Sequence, residues 1–208
     1  MSFKKEIGGI YRLKVPFENL YTSVFLIQTE SANILVDCAT TQEDVQEWIL
    51  PALKEKGLSI QDIQFLLLTH THADHAGGVS EILKLHPAIE TINTVCQRFE
   101  NLEIYSLQGH TEDCIGVLDV CAGTLISGDG LQGVGIGQYR CSLENKEEYI
   151  KTIEKIRQDK RIKNILFSHA YEPWYKDRVF GREKIENCLK DCIEYVERSS
   201  KNESNRNQ

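Results

Sequence analysis

Residues 64–75 read Gln-Phe-Leu-Leu-Leu-Thr-His-Thr-His-Ala-Asp-His, a short apolar run that leads directly into four possible metal ligands. The run is too short for an ordinary helix and follows a polar stretch, so it predicts a buried strand. Imidazole and carboxylate groups are costly to bury unless a metal ion or a partner group compensates them. The segment therefore predicts a metal site at the end of a strand.

The spacing of these ligands predicts which of them bind the same ion. If the strand direction continues, side chains two residues apart lie on one side, so His70 and His72 can hold the same ion. Asp74 and His75 follow in a turn and can reach a second ion. Gly77 then permits a tight bend before residues 79–85, whose apolar side chains have helical spacing. The four ligands are expected in a strand-to-helix loop.

This segment resembles the His-x-His-x-Asp-His signature of the metallo-beta-lactamase superfamily. Other elements typical of that family have counterparts here in the same order along the chain, and they extend the resemblance over residues 37 to 169. These counterparts are Asp37 after the apolar residues 34–36, His110 within Gly109-His110-Thr111, Asp129 after the apolar run near residue 126, and His169 after the apolar run near residue 166.

The resemblance implies two divalent metal ions held by seven side chains, in two sets that share one carboxylate. The first set is His70, His72 and His110, the second is Asp74, His75 and His169, and Asp129 bridges both. Five imidazoles and two carboxylates without a thiolate suit zinc best and also accept iron or manganese.

Asp37 has two interpretations. An aspartate that ends a strand is often a turn former, because its side chain can hydrogen-bond to the backbone nearby. The resemblance implies instead that Asp37 supports the metal site from behind the ligands.

The resemblance implies a hydrolase that uses a hydroxide bridging the two ions. Asp74 is the candidate catalytic residue, because a carboxylate beside the nucleophile can orient it and accept a proton. The sequence offers no evident acid for the leaving group, so a small ester, lactone or thioester is expected rather than an amide. Two alternatives stay open: a mononuclear iron oxygenase resembling persulfide dioxygenases, and a non-catalytic metal-binding protein on the same fold.

Three residues near the expected ligands could contact the substrate. Tyr139 and Arg140 end a glycine-rich segment that follows Asp129, and they could bind an anionic or carbonyl group. Tyr171 comes two residues after His169 and could form an aromatic wall. An ordinary surface or packing position is the alternative for all three.

Composition and simple sequence patterns limit which binding partners and which cellular compartment are expected. The 208 residues carry a formal net charge of −7, which disfavours nucleic acid because phosphate binding draws on clustered lysine and arginine. A small-molecule substrate is expected, with no membrane partner, since no apolar run approaches the length of a span. The seven cysteines show no disulfide pattern and the first residues show no secretory signal, so we expect a cytoplasmic protein. These patterns make no prediction of oligomeric state.

The order of elements predicts an α/β protein. The resemblance implies, more narrowly, a four-layer αββα sandwich of two mixed sheets flanked by helices, in a single domain over residues 1–198 with a disordered tail at 199–208. Strands are predicted at residues 8–15, 22–28, 33–36, 64–69, 103–105, 115–120, 124–127 and 162–167. Helices are predicted at residues 42–56, 79–85, 146–158 and 183–198.

Overall fold

The chain folds into two compact units, Met1–Glu100 and Asn101–Gln208, where the sequence predicts one domain over residues 1–198. The structure is a computed structural model and describes residues 1–17, 20–94, 98–99, 101–131, 143–170 and 176–206. In this part of the chain, the strands form two six-stranded sheets. Each unit also has a hydrophobic core of its own, which is why it is compact by itself.

The first sheet follows the order of the chain. It begins as an antiparallel meander and ends with two strands parallel to the fourth, a mixed arrangement that needs helical crossovers before its fifth and sixth strands. Its strands are β1 Lys4–Ile7, β2 Ile10–Phe17, β3 Leu20–Gln28, β4 Asn33–Val36, β5 Phe65–Leu67 and β6 Glu90–Ile92.

The predicted helix at 42–56 forms, but its hydrogen-bonding pattern changes along its length. The chain runs from α1, Gln42–Asp44, through a π-helical stretch at Val45–Ile49 into α2, Leu50–Glu55. Pro51 lacks the N–H that would continue a regular ladder, so a wider turn before it is expected. A 3-10 turn at Ile60–Asp62 precedes β5, and the helices after β5 are α3, Ala73–Ala76, and α4, Val79–Leu85.

The second sheet runs in the order β12-β11-β10-β9-β8-β7. Its strand β11 is parallel to β10 and antiparallel to β12, so this sheet is also mixed. Its helices are α5, Lys146–Gln158, and α6, Arg182–Arg206. The strands are β7 Arg98–Phe99, β8 Leu102–Ser106, β9 Ile115–Asp119, β10 Thr124–Ile126, β11 Asn164–Leu166 and β12 Arg178–Phe180.

The predicted fold class is confirmed: the protein has two mixed sheets with flanking helices. One face of the first sheet packs on its own helices, with Leu26 and Leu35 in one core with Ile49 and Leu53. The opposite face is buried too, since every residue of β3 from Thr22 to Ile27 is shielded from solvent. Sheets covered on both faces are what a four-layer αββα sandwich requires.

Two features of the secondary structure differ from the prediction: four additional short strands and the end of the last helix. Strands β1, β6, β7 and β12 have no counterpart among the predicted elements, because each is only two to four residues long and carries no alternation that reveals it. Helix α6 runs to Arg206, beyond the predicted helix end at residue 198. Each residue added to an existing helix gains a hydrogen bond without a new nucleation cost, so polar residues can extend it.

None of the helices in the described residues combines the length and the apolar composition needed to cross a membrane.

Candidate metal centre

The histidine cluster lies where β5 gives way to α3. His72 has extended backbone and caps α3, so Asp74 and His75 lie on a single helical turn rather than in the irregular turn expected from the sequence. His70 and His75 are buried, whereas His72 is exposed. The ring centroids of His70 and His72 are 4.7 Å apart, and those of His70 and His75 are 4.2 Å apart. Three imidazoles of the cluster are therefore close together in this unit.

Asp37 lies behind this cluster and holds it. Its Oδ2 is 2.7 Å from Nδ1 of His75, and both side chains are fully buried. The same carboxylate accepts hydrogen bonds from the backbone N–H and the hydroxyl of Thr69, each at 2.8 Å. A carboxylate that binds the second nitrogen of a ligand histidine fixes its tautomer and orientation. This geometry favours the interpretation of Asp37 as support over that of a simple turn former.

The contact with Asp37 determines which nitrogen of His75 is directed to the candidate site. Because Nδ1 of His75 is hydrogen-bonded to Asp37, Nε2 lies on the other side of the ring. There, Nε2 is 3.5 Å from Oδ2 of Asp74. Two ligands each about 2.1 Å from a tetrahedral ion lie about 3.4 Å apart. The pair is spaced as two ligands of one ion would be.

The loop after β4 is shaped to hold His75 from its backbone as well. Asp37 and Ala39 adopt left-handed conformations, with φ of 62° and 63°. Between them, the backbone N–H of Cys38 donates to the carbonyl of His75 at 2.8 Å, and the thiol donates to the same oxygen at 3.3 Å. Burial and the neighbouring Asp37 raise the pKa of the Cys38 thiol far above its usual range. Cys38 is therefore a neutral donor and not a nucleophile.

Two glycines allow this loop to lie directly on the end of α3. A Cβ added at Gly77 would be 1.8 Å from the carbonyl oxygen of Thr40, and one at Gly78 would be 2.3 Å from that of Cys38. Both obstacles are backbone atoms, which cannot turn aside as a side chain can. The sequence places Gly77 at a tight bend, and the structure adds that its missing side chain makes room for the loop that carries Asp37.

Gly77→Ala is expected to lower the free energy of unfolding by at least about 3 kcal/mol, because the new methyl group overlaps the Thr40 carbonyl. Urea unfolding of the metal-free protein measures the effect. Gly57→Ala is the control: its φ of 75° strains an alanine, but no atom lies within 4 Å of the added Cβ, so a loss of about 1–2 kcal/mol is expected. Equal losses in the two variants would contradict the predicted overlap.

The second unit brings its three expected ligands to one place. Asp129 follows β10, His169 follows β11 and His110 lies in the turn between β8 and β9. Oδ1 of Asp129 is 3.3 Å from Nε2 of His169, and Oδ2 is 4.0 Å from Nε2 of His110. All three side chains are at most 5% exposed. Asp129 thus has one oxygen toward each histidine, as expected of a carboxylate that serves two ions.

Among the described residues, each unit carries a cluster of ligand-type side chains, and together the two clusters contain the seven residues implied by the resemblance. The first unit's cluster is His70, His72, Asp74 and His75, and the second unit's is His110, Asp129 and His169. The donors fit divalent ions of the zinc, iron or manganese type, since neutral imidazoles and carboxylates are their usual ligands. The His169–Asp129 spacing of 3.3 Å fits a shared ion as well as the His75–Asp74 spacing does.

Other predicted or nearby residues contribute differently. Tyr139, Arg140 and Tyr171 lie outside the described residues, so their roles as substrate contacts stay predictions. Burial raises the pKa of the Cys114 thiol to about 12, which leaves it protonated and unreactive at neutral pH.

Thr69 also belongs to the site, although the sequence analysis does not identify it. Its hydroxyl donates to Asp37 and lies 3.3 Å from Nδ1 of His70. Its place directly before His70 was the available signal.

The chain is similar to proteins of one family over much of its length. Residues 18–95 match the model of the metallo-beta-lactamase superfamily. A beta-lactamase-like protein 2 homolog of Drosophila melanogaster is 31% identical over 65% of this chain and 54% of its own length. A hydroxyacylglutathione hydrolase of Halorhodospira halophila is 31% identical over 56% of this chain and 55% of its own. The chain thus spans about half the length of these relatives.

A solved structure extends the likeness to almost the whole chain. The metallo-beta-lactamase FIM-1 of Pseudomonas aeruginosa, in its mono-zinc form, superposes with a TM-score of 0.70 over 96% of each chain, at 19% sequence identity. At that identity the likeness concerns the fold alone. Taken with the sequence matches, it shows that this chain has the fold of the metallo-beta-lactamases and is similar in sequence to the metallo-beta-lactamase superfamily over residues 18–95.

Proposed function

We propose that this protein is a metal-dependent hydrolase that acts on a small ester, lactone or thioester. The observation that carries the proposal is the pair of ligand clusters, which combine five imidazoles with two carboxylates. A site that only stabilised a fold would be closed by four ligands of one ion. Two clusters that together hold five imidazoles and two carboxylates instead have the composition of a hydrolytic site that works with paired ions.

His70, His72 and His110 would hold one ion, and Asp74, His75 and His169 the other, with Asp129 shared. Zinc is the proposed metal, since this donor set suits it best. When bound, two such ions lower the pKa of water and polarise the carbonyl oxygen of a substrate.

Asp74 is the proposed catalytic base. Its side chain is 18% exposed, so one carboxylate is both reachable from solvent and 3.5 Å from Nε2 of His75. From that position it can orient an attacking water and accept its proton. Asp37 contributes indirectly: it fixes the tautomer of His75 and so keeps Nε2 on the side of Asp74.

The substrate class rests on chemistry and on one relative. Among the described residues we assign no acid that could protonate a leaving group, and alkoxide and thiolate groups need such help less than amines do. The hydroxyacylglutathione hydrolase of Halorhodospira halophila supports an acyl-thiol substrate in particular. We propose a small molecule as the partner and the cytoplasm as the location.

Metal analysis tests the proposal first. Mass spectrometry of protein purified without added metal is expected to find two divalent ions per chain, mostly zinc. Hydrolysis of a panel of aryl esters, lactones and acyl-thioesters should then require those ions, disappear after removal of metal with a chelator and return when zinc is added.

Three results would contradict the proposal. Hydrolysis that persists in fully metal-free protein would show that the clusters are not the active site. One iron per chain, with oxygen consumption on a thiol substrate and no hydrolysis, would favour an iron oxygenase instead. Full zinc loading with no turnover on any member of the panel would indicate a metal-binding protein without hydrolytic activity.

A further inference from the structure

We propose that Thr152, on α5, is a positioning residue that holds the His110 turn in the form required to bind its metal ion. The inference rests on the proposed function, since it assigns a task to a residue behind one of the ligands. Thr152 is buried, and its hydroxyl donates to the carbonyl oxygen of Gln108 at 2.8 Å. It lies 44 residues from Gln108 along the chain, so no local pattern links the two.

The bond from Thr152 is one of a set by which α5 and the two residues before it hold this turn. Three successive carbonyls are bound: that of Gln108 by Thr152, that of Gly109 by the backbone N–H of Asn145 at 3.0 Å, and that of His110 by the N–H of Glu144 at 3.2 Å. On the far side of His110, the N–H of Glu112 donates to Oε2 of Glu144 at 3.1 Å. The ligand is therefore bounded on both sides by contacts with α5 and the two residues that precede it.

Packing brings the turn and the helix into direct contact. Gly109 has a φ of +135°, and a Cβ placed there would be 2.5 Å from Cα of Tyr149. Tyr149 is fully buried and belongs to a core cluster that includes Ile153 and Cys188. The backbone of the turn thus rests on a helix that the core of the second unit holds in place.

This support should act on metal affinity and not only on folding. A ligand that is already ordered loses less conformational freedom when it binds an ion. Gln108 and Glu112, on either side of the buried residues 109–111, are exposed, and the hydroxyl of Thr152 and the carboxylate of Glu144 hold their backbone through hydrogen bonds. Groups that orient ligands typically change metal affinity about 10- to 100-fold when they are removed.

Thr152→Val tests the proposal, because valine keeps the shape of threonine and removes the donor. Zinc affinity is measured by competition with a chromogenic chelator, which resolves two binding steps. We expect one step to weaken about 10- to 100-fold in the variant while the other stays within about threefold of the unmodified protein. Thr152→Ser, which restores a hydroxyl, should recover most of the affinity.

Thr29→Val is the matched control. Thr29 also donates to a backbone carbonyl, that of Ala32 at 3.1 Å, in the turn between β3 and β4. The Thr29→Val protein should be destabilised to urea as much as the Thr152→Val protein, yet keep both zinc affinities. Should Thr152→Val fail to fold, Glu144→Ala gives a second route, since Glu144 is exposed and its loss removes the bond to Glu112. Glu144→Ala should likewise weaken only one of the two zinc-binding steps.

The outcomes separate this inference from the proposed function. Two zinc steps in the unmodified protein, with both unchanged in Thr152→Val and Glu144→Ala, would overturn the positioning role and leave the hydrolase proposal intact. Equal weakening of both steps in Thr152→Val and Thr29→Val would overturn it as well, by showing a general effect of stability. Fewer than two zinc ions in the unmodified protein would instead contradict the dinuclear site itself.

Discussion

Asp129→Ala is expected to reduce bound zinc from two ions per chain to one or none, and to lower hydrolysis about a thousandfold or more. Asp129 lies 3.3 Å from His169 and 4.0 Å from His110 through different oxygens, so one substitution removes a ligand from both sides. Removal of a single group that stabilises charge in a transition state already costs about a hundredfold to a thousandfold. Here the same group would also hold the metals.

Metal content by mass spectrometry and steady-state hydrolysis of the best substrate in the panel measure the two effects. Asp119→Ala is the matched control, since Asp119 belongs to the same unit and both aspartates are 5% exposed. Asp119 accepts from Asn101 at 2.7 Å and from the N–H of Ala122 at 2.9 Å, so its loss should destabilise the fold without removing zinc. A fully zinc-loaded, active Asp129→Ala protein would exclude Asp129 from the site.

Much of the candidate site was accessible from sequence because ligand chemistry depends on residue type. Histidines and aspartates in a dense cluster have few explanations apart from a metal ion, and their positions after apolar runs predicted that strands present them. The structure bears out this arrangement for β10 and Asp129 and for β11 and His169. The local conformation was less accessible: Asp74 lies on a helical turn, which a four-residue stretch does not reveal.

The short strands were missed for a different reason. Lys4–Ile7 is half exposed, and its burial does not alternate along the strand. It is a strand because it pairs with β2, with Lys4 opposite Arg12 and Lys5 opposite Tyr11. Strand formation of this kind is a property of the neighbour as much as of the segment, so a pattern within four residues cannot predict it.

The groups behind the ligands were the least accessible, because tertiary contacts alone bring them there. Asp37 precedes His75 by 38 residues, and only the pairing of β4 with β5 places the end of one strand beside the other. The family resemblance implied the role of Asp37, whereas nothing in the sequence implied that of Thr152. A hydrogen bond to a carbonyl leaves no trace in spacing or composition.

Asp37→Asn is expected to weaken zinc binding about 10- to 100-fold while the protein stays folded. Asparagine tolerates the left-handed φ of 62° at this position better than most residues. The backbone N–H of Thr69 requires an acceptor, so the amide oxygen should face it and the NH₂ group should face Nδ1 of His75. A donor at Nδ1 moves the ring proton to Nε2, which then cannot bind an ion.

Asp37→Ala should behave differently, and the contrast identifies the cause. Alanine leaves the N–H of Thr69 and Nδ1 of His75 buried without their acceptor and is strained at this φ, so the free energy of unfolding should fall by about 3–5 kcal/mol. Urea unfolding of the metal-free proteins and zinc competition measure the two quantities separately. Asp44→Asn is the control, because Asp44 also accepts from two backbone N–H groups in the first unit, at 3.1 and 2.9 Å. It should keep the zinc affinity of the unmodified protein. If Asp37→Asn also kept that affinity, the tautomer of His75 would not depend on Asp37, and the carboxylate would serve the fold alone.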